Sequence, residues 1–209
     1  MSCIELIGTL FGLACVLLYI RQNIWSWPTG LVQVILFAWV FYHAKLYSDF
    51  LLHLFYIVLQ IYGWYHWARR AAKDELPITR ISSGGVALWA ITAAVGTFAV
   101  GAAMAHWTDA ALPYWDASIA VLSVIATFLL ARMVLENWLI WIAVDVIAVG
   151  VYLTKGLYIT TGLYAVFLCM ATAGFFAWQR SLINQRKGFE AAADLSSENS
   201  SRRPVGISS

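Results

Sequence analysis

The residues whose side chains are best suited to bind a ligand lie on one face of a predicted helix. Steps of three, four, three and four residues connect Trp138, Trp141, Asp145, Ala148 and Tyr152. Because residues three or four apart are neighbours on a helix surface, these side chains share a face. Indole rings attract a cation through their π faces and a carboxylate supplies the opposite charge, so this face suits a flat cationic ring.

Asp145 lies inside a long apolar stretch. A carboxylate at the centre of a bilayer costs about 3 kcal/mol on insertion scales, which favours a functional role. The alternative is a protonated Asp145 hydrogen-bonded to a neighbouring helix. For the tryptophans, the alternative is an aromatic belt at the level of the lipid headgroups. Trp138, near the helix end, fits that belt better than Trp141, which lies about one turn deeper.

A second stripe of polar and aromatic residues precedes the first by about 90 positions. It consists of Asp49, His53, Tyr56, Gln60, Trp64 and Trp67. We expect Tyr56 and Gln60 to hydrogen-bond an amide or a sugar hydroxyl of a ligand. Asp49 and His53 either line an entrance or form a structural hydrogen-bonded pair, and the two tryptophans fit an aromatic belt. Gln33, in the preceding apolar segment, is another polar residue near the middle of a predicted span.

The sequence contains little that indicates an enzyme. His43, Asp49 and His53 are the only clustered potential metal ligands, but they straddle a loop and lack the spacing of known metal motifs. There is no G-x-S-x-G and no phosphate-binding glycine loop. The three cysteines share no C-x-x-C spacing, and their odd number argues against a disulfide framework. We therefore predict no enzyme, no metal and no cofactor.

These side chains belong to a chain that is too apolar for a water-facing fold. Of its 209 residues, 62% are hydrophobic and only 11% are charged, whereas an ordinary soluble domain has about 25% charged residues. Roughly 20 apolar residues cross the hydrocarbon core as a helix. We therefore predict an all-α integral membrane protein with seven transmembrane helices: Ser2–Ile20, Ile24–His43, Phe50–Trp67, Gly84–Ala105, Tyr114–Ala131, Asn137–Leu153 and Leu157–Trp178. The net charge of +2 is too small to indicate a nucleic-acid partner, so the expected partners are membrane lipid and a small molecule.

The predicted spans differ in polarity, and two other segments are too polar for the membrane. The second, third and sixth spans are the richest in polar and aromatic side chains, as expected of helices that line a cavity. Residues 68–80 are rich in Arg and Lys and are predicted to form a loop. Residues 181–209 are predicted to form a disordered tail, because they have too little apolar surface to bury.

The distribution of basic residues predicts an orientation. With seven spans, the side that holds the N-terminus carries only Lys45 and Lys155, and the other 11 of the 13 basic residues lie on the opposite side. Positively charged loops stay in the cytoplasm. The N-terminus is therefore predicted outside, in the periplasm, and the C-terminus inside.

The chain also repeats itself at an offset of 111 positions. The matching pairs are Arg21 with Arg132, Trp27 with Trp138, Tyr47 with Tyr158, Gly63 with Gly174 and Trp67 with Trp178. Locally the offset slips to 110, pairing Tyr42 with Tyr152 and Lys45 with Lys155, which indicates one inserted residue. The alternative is convergent use of Tyr, Trp and Lys at membrane interfaces.

A real repeat would define the architecture. It predicts a 3+1+3 arrangement, with a three-helix repeat in 1–67, a basic cytoplasmic loop and linker helix in 68–113, and a second three-helix repeat in 114–180. One linker span lets both units enter the membrane in the same direction, so the repeats are parallel. Substrate sites of such transporters lie near the midplane between the repeats.

Three stretches of the chain resemble the PnuC family of vitamin-precursor transporters. They are RQNIWSWPTG, KLYSDFLLHLFYIVLQIYGWYHW and ENWLIWIAVDVIAVGVYLTKGLYITTGLYAVF. The resemblance covers Ile4 to about Trp178. Its most specific parts are the W-x-x-W formed by Trp138 and Trp141 and the KGLY that begins at Lys155.

This resemblance implies a SWEET-like fold and a homotrimer with one substrate path in each protomer. It also implies uptake of nicotinamide riboside across the bacterial inner membrane by facilitated diffusion, followed by trapping through phosphorylation in the cytoplasm. Close relatives carry thiamine or riboflavin. The cationic rings of nicotinamide riboside and thiamine both suit two indoles and a carboxylate, whereas neutral riboflavin would not need Asp145.

The resemblance also implies a set of substrate contacts. Trp138 and Trp141 would stack on the substrate, and Asn137, Gln60, Tyr56 and Asp145 would supply polar contacts. With Gln33 and Tyr152, these residues form the predicted substrate-binding set. Two alternatives stay open: a thiamine carrier of the same family, and a proton-coupled or ion-conducting membrane protein that uses Asp145 as a relay.

Overall fold

The computed structural model describes residues 3–71, 77–108 and 111–201 of the chain. These residues form seven helices: α1 (Cys3–Ile20), α2 (Ser26–His43), α3 (Tyr47–Ala71), α4 (Ser83–Trp107), α5 (Pro113–Ala131), α6 (Asn137–Thr154) and α7 (Tyr158–Ser201). Five of them, α1, α4, α5, α6 and α7, are long and apolar enough to cross a membrane. α2 and α3 fall below that apolarity because they carry many Trp, Tyr, His and Gln side chains.

Two helices extend into segments that the sequence indicated as irregular. Residues 68–71, predicted as loop, complete α3, whereas 72–76 lie outside the described residues. α7 continues through the predicted disordered tail as far as Ser201, and 202–209 lie outside the described residues. The middle of the tail contains Arg186, Lys187, Glu190 and three alanines at 191–193, residue types that favour a helix without needing burial. Leu182 is also buried, and the backbone N–H of Ile78 donates to Gln185 Oε1 at 3.1 Å.

The turns after α2 and after α6 have the same backbone form. Lys45 and Gly156 both have positive φ, 58° and 72°. The amide of Leu46 donates to the carbonyl of Phe41, and the amide of Leu157 donates to that of Tyr152, each at 2.9 Å. These pairs are all 111 positions apart, so the predicted slip to 110 with an inserted residue is wrong. The lysines misled the comparison because Lys155 lies one position earlier in its turn than Lys45.

The helices pack as two groups, and two pairs of helices form the contacts between these groups. In the first group α2 packs against α1 and α3, and in the second α6 packs against α5 and α7. Contacts of α1 with α7 and of α3 with α5 join the groups, and α4 packs against α5. Space therefore remains between the groups, surrounded by helices of both.

Four tryptophans close one end of this space and are called the indole cluster below: Trp27, Trp67, Trp138 and Trp178. Each is at most 2% exposed. Trp27 and Trp67 meet edge to face with ring centroids 5.4 Å apart, and Trp138 and Trp178 do the same at 5.7 Å. Trp67 and Trp178 join the two pairs at 6.3 Å. Such edge-to-face contacts add to the stabilisation that burial provides.

Glycines and carbonyls position the indole cluster. A Cβ on Gly174 would lie 2.6 Å from the ring of Trp138, and one on Gly63 would overlap the ring of Trp27. Trp67 Nε1 donates to the carbonyl of Ala131 at 3.2 Å, across the two groups of helices. The assignment of Trp67 to an aromatic belt is therefore wrong, since its ring packs against indoles in the core rather than against headgroups. Trp64 of the same stripe is 42% exposed.

Residues 77–82, which precede α4, cover the same end of the molecule. The amide of Thr79 donates to the carbonyl of Met133 at 3.0 Å, and the amide of Leu135 donates to the carbonyl of Thr79 at 2.9 Å. Glu136 accepts from Arg80 Nε and from the amide of Ile81, both at 3.0 Å. This segment is thus hydrogen-bonded to the α5–α6 connection, next to the indole cluster.

Candidate functional site

A cavity of about 1190 Å³ occupies the space between the two groups of helices. Side chains from all seven helices line it. One end lies at Lys45, Asp116 and Lys155, and the other lies at Tyr19 and Trp138, next to the indole cluster. Seven of the eight predicted substrate-binding residues line this cavity: Gln33, Tyr56, Gln60, Trp138, Trp141, Asp145 and Tyr152.

The eighth residue, Asn137, does not line the cavity. Its side chain is fully buried where α6 begins, and its Nδ2 donates to the carbonyl of Val134 in the preceding turn. Its Oδ1 has no partner among the described residues. The structure therefore places Asn137 behind Trp138 as a residue that supports the start of the helix.

Asp145 extends from α6 into the wall of the cavity and is only 3% exposed. Among residues 3–71, 77–108 and 111–201 it forms no hydrogen bond and no ion pair. The alternative interpretation required a hydrogen bond from Asp145 to a neighbouring helix. The described residues provide no such bond. A buried polar group without a partner is unfavourable, so a ligand that completes its interactions would gain affinity from it.

The two indoles of the α6 face line the cavity together with Asp145. Trp138 is 2% exposed, and its Nε1 has no acceptor in the described part of the chain. Trp141 is partly buried and packs against the core cluster. The aromatic-belt interpretation of Trp138 is therefore wrong, because its ring packs edge to face on Trp178 rather than at a headgroup level.

Two glutamines face this arrangement from the other group of helices. Gln60 of α3 is 8% exposed, and its Oε1 accepts a hydrogen bond from the Tyr19 hydroxyl at 2.9 Å. Its Nε2 lies against α2, where a Cβ on Gly30 would come within 2.5 Å. Gln33 of α2 lies against Gly12 of α1 in the same manner, with its Nε2 2.9 Å from where a Cβ would be. These glycines give the amides the room that they occupy.

Tyrosines form the middle of the cavity. Tyr56 of α3 lies near the side chain of Ser123 of α5. Tyr152 of α6 stacks on Tyr164 of α7, with ring centroids 5.2 Å apart and an interplanar angle of 26°. Both predicted tyrosines therefore contact other side chains of the cavity wall.

Charged residues gather at the end of the cavity away from the indole cluster. Lys155 Nζ lies 2.8 and 3.0 Å from the two oxygens of Asp116. Asp49 and His53 also line the cavity here, and the His53 ring contacts the backbone carbonyl of Asp49 at 2.9 Å rather than its carboxylate. Within the described residues no group of three or more His, Cys, Asp or Glu could hold a metal ion.

Comparison with known proteins identifies the family. A family model described as nicotinamide mononucleotide transporter matches residues 2–180. The chain belongs to this family. It is therefore a transporter and not an enzyme, and the cavity is its candidate substrate site.

Individual relatives agree with this assignment. The nicotinamide riboside transporter PnuC of Escherichia coli (strain K12) is 29% identical over an alignment of length 208, and the match covers 87% of this chain and 87% of the relative. The riboflavin/roseoflavin transporter RibM of Streptomyces davaonensis is 25% identical over 193 residues, which cover 90% of each chain. The fold also matches the crystal structure of the vitamin B3 transporter PnuC, with a TM-score of 0.72 at 23% identity, over 88% of this chain and 83% of that one.

Sequence reasoning missed several side chains of this transporter's cavity. Tyr19, Tyr164 and Ser123 were not singled out, because each lies among mostly apolar neighbours in the sequence. Lys155 is part of the KGLY motif and of the repeat, but its pairing with Asp116 of a different helix was not predicted. Since such contacts join distant segments, no periodicity could have revealed them.

Proposed function

We propose that this transporter carries nicotinamide riboside. The observation that supports this most strongly is that Asp145, in the cavity wall next to Trp138 and Trp141, has no hydrogen-bond or ion-pair partner among the described residues. Nicotinamide riboside contains a flat pyridinium cation, which suits indole faces and a carboxylate in the wall of a cavity. The E. coli relative named for this substrate supports the same assignment.

Two other vitamins define the alternatives within the family. Thiamine contains a thiazolium cation and would use the same features, so it is the second candidate substrate. Riboflavin, named for the Streptomyces relative, is neutral and has no need of Asp145. The carboxylate therefore favours a cationic vitamin over riboflavin.

Competition binding to the purified protein separates these candidates. Labelled nicotinamide riboside is bound first, and unlabelled nicotinamide riboside, thiamine or riboflavin is then titrated. We expect nicotinamide riboside to compete at the lowest concentration. Displacement at a lower concentration by thiamine would replace the proposed substrate, and displacement by riboflavin would also remove the role given to Asp145.

We propose for the architecture that all seven helices cross the membrane as 3+1+3. The supporting observations are equivalences at a constant offset of 111: α2 and α6 begin at Ser26 and Asn137, and α3 and α7 begin at Tyr47 and Tyr158. The contact of α1 with α7 corresponds to that of α5 with α3. α4 is the linker that lies outside this correspondence.

The distribution of basic residues supports an orientation with the N-terminus in the periplasm. The mouth at Lys155 and Asp116 would then face outward, and the indole cluster would close the cytoplasmic end. Transport would proceed by alternating access, with the two three-helix units rocking around a fixed site. Facilitated diffusion with cytoplasmic trapping fits a cavity whose deep part contains one carboxylate among the described residues.

A proton-coupled carrier is the alternative mechanism, because an unpaired carboxylate can also relay protons. Uptake into vesicles that contain no trapping kinase tests this. Equilibration of the substrate without accumulation is expected when a proton gradient is imposed. Accumulation that follows the gradient would establish coupling through Asp145 instead.

We propose a homotrimer in the bacterial inner membrane on the basis of the family resemblance. α4 exposes large apolar side chains, among them Leu88, Ile91, Val95 and Phe98, and they need lipid or a neighbouring copy to cover them. The mass of the protein in detergent, determined by light scattering, tests the assembly. Three copies per particle are expected, and a monomer or dimer would contradict this.

A further inference from the structure

The hydrogen bond from Tyr19 to Gln60 fixes the polarity of one wall of the cavity. The Tyr19 hydroxyl donates to Gln60 Oε1 at 2.9 Å, and both side chains are buried. Once its carbonyl oxygen has a partner, the amide offers its N–H groups to anything that approaches. No described residue accepts a hydrogen bond from Gln60 Nε2, although Gln60 lines the cavity.

Tyr19 is itself held in place by strong local packing. Its ring meets Trp27 edge to face at 5.0 Å and Trp67 at 6.1 Å. Its backbone carbonyl accepts from Trp178 Nε1 at 3.0 Å. The hydroxyl therefore has little freedom to leave Gln60, and in this arrangement the amide oxygen is occupied before the substrate arrives.

The repeat offers no substitute for this pair. The positions 111 residues after Tyr19 and Gln60 are Leu130 and Ala171, neither of which can hydrogen-bond through its side chain. The second group of helices instead presents Asp145 to the same cavity, as an acceptor that has no partner among the described residues. One wall thus donates hydrogen bonds and the other accepts them or attracts a cation.

We propose that Tyr19 is a positioning residue that determines specificity: it holds Gln60 as a hydrogen-bond donor, so that the site selects a substrate carrying a carbonyl acceptor beside its cationic ring. This inference rests on the proposed function, in which the carbonyl is that of the carboxamide of nicotinamide riboside. Tyr19 acts through Gln60 and need not touch the substrate. Without the Tyr19 hydroxyl, the Gln60 amide can rotate by half a turn, and the site then loses its preference for a substrate with an acceptor.

The test compares two ligands that differ only in the acceptor. The purified full-length protein is titrated with nicotinamide riboside and with the pyridinium riboside that lacks the carboxamide. A neutral hydrogen bond is worth about 0.5–1.5 kcal/mol. At a factor of ten for each 1.4 kcal/mol, the wild type should prefer nicotinamide riboside by up to about tenfold. Tyr19→Phe should reduce the preference to about twofold, as should Gln60→Ala.

The combination of substitutions distinguishes positioning from a general structural role. Tyr19→Phe added to Gln60→Ala should not change the preference further, since the hydroxyl acts only through the amide. Tyr62→Phe is the matched control, because that ring packs on Phe128 outside the cavity lining and its loss of a hydroxyl should leave the preference intact. Gln60→Glu, which keeps the oxygen facing Tyr19 and replaces the donor, should also abolish the preference even if Tyr19→Phe folds poorly.

Specific results would overturn the inference. A wild-type preference in Tyr19→Phe or Gln60→Glu, or a further loss when Tyr19→Phe is added to Gln60→Ala, would show that Tyr19 does not act through the amide. A wild-type protein that binds neither ligand would overturn the proposed function, and this inference with it.

Discussion

Gly174 of α7 lies so close to Trp138 of α6 that a Cβ at this glycine would come within 2.6 Å of the indole ring. A real Cβ cannot approach a ring so closely, so the backbone or the ring would have to move. The indole belongs both to the indole cluster and to the lining of the cavity. The glycine therefore connects the packing of the core with the shape of the site.

The first prediction follows from this contact. Gly174→Ala should lower the melting temperature of the protein in detergent and weaken substrate binding, because displaced Trp138 alters both the core and the cavity. Overpacking of a filled core typically costs about 1–3 kcal/mol. Gly162→Ala in the same helix is the matched control, since a Cβ there meets nothing within 4 Å. Equal effects of the two substitutions would contradict the packing argument.

The second prediction concerns the stacking indoles. Trp141→Ala should weaken nicotinamide riboside binding by roughly tenfold or more, as loss of a cation–π contact in a desolvated site costs about 2 kcal/mol. Trp64→Ala provides the control, because Trp64 is 42% exposed and does not line the cavity. Calorimetric titration of both variants measures the difference. A Trp141→Ala protein with wild-type affinity would remove this indole from the site.

The third prediction concerns the extended end of α7. A chain that ends after Lys187 should melt like the full-length protein, whereas one that ends after Arg180 should melt at a lower temperature. The shorter chain loses buried Leu182 and the acceptor that Gln185 offers to the Ile78 amide. Loss of a buried leucine side chain costs about 2–5 kcal/mol. If both truncations melt alike, the extension does not support the fold.

The fourth prediction concerns orientation. Green fluorescent protein fused after Ser209 should fluoresce, and alkaline phosphatase fused at the same place should be inactive, because the C-terminus is expected in the cytoplasm. Phosphatase fused after Lys45, in a loop expected outside, should be active. The opposite pattern would reverse the orientation of the cavity and of the indole cluster.

Much of the fold could be predicted from hydropathy and spacing. Apolar runs located all seven helices, and the offset between Trp27 and Trp138 pointed to packing positions that are equivalent in the structure. The end of α7 was missed because its helix depends on local propensity and on single contacts such as that of Gln185 with Ile78. These signals are weak in a window judged by apolarity alone.

The cavity was predictable where its residues share a helical face. Trp141 and Asp145 line it together because a spacing of four residues places them on one side of α6. Tyr19 was missed because its partner, Gln60, is 41 positions away and on another helix. The family resemblance implied that Asn137 contacts the substrate. In the structure its side chain supports the start of α6.

The most direct test of the central claim compares a cationic and a neutral ligand at Asp145. Wild-type protein and Asp145→Asn are titrated with nicotinamide riboside and with its reduced dihydropyridine form, which has lost the ring charge. We predict that the substitution weakens binding of the cation by roughly tenfold or more, since the carboxylate is buried and has no partner among the described residues. Binding of the neutral form should stay nearly unchanged. Equal affinity of both proteins for nicotinamide riboside would contradict the account.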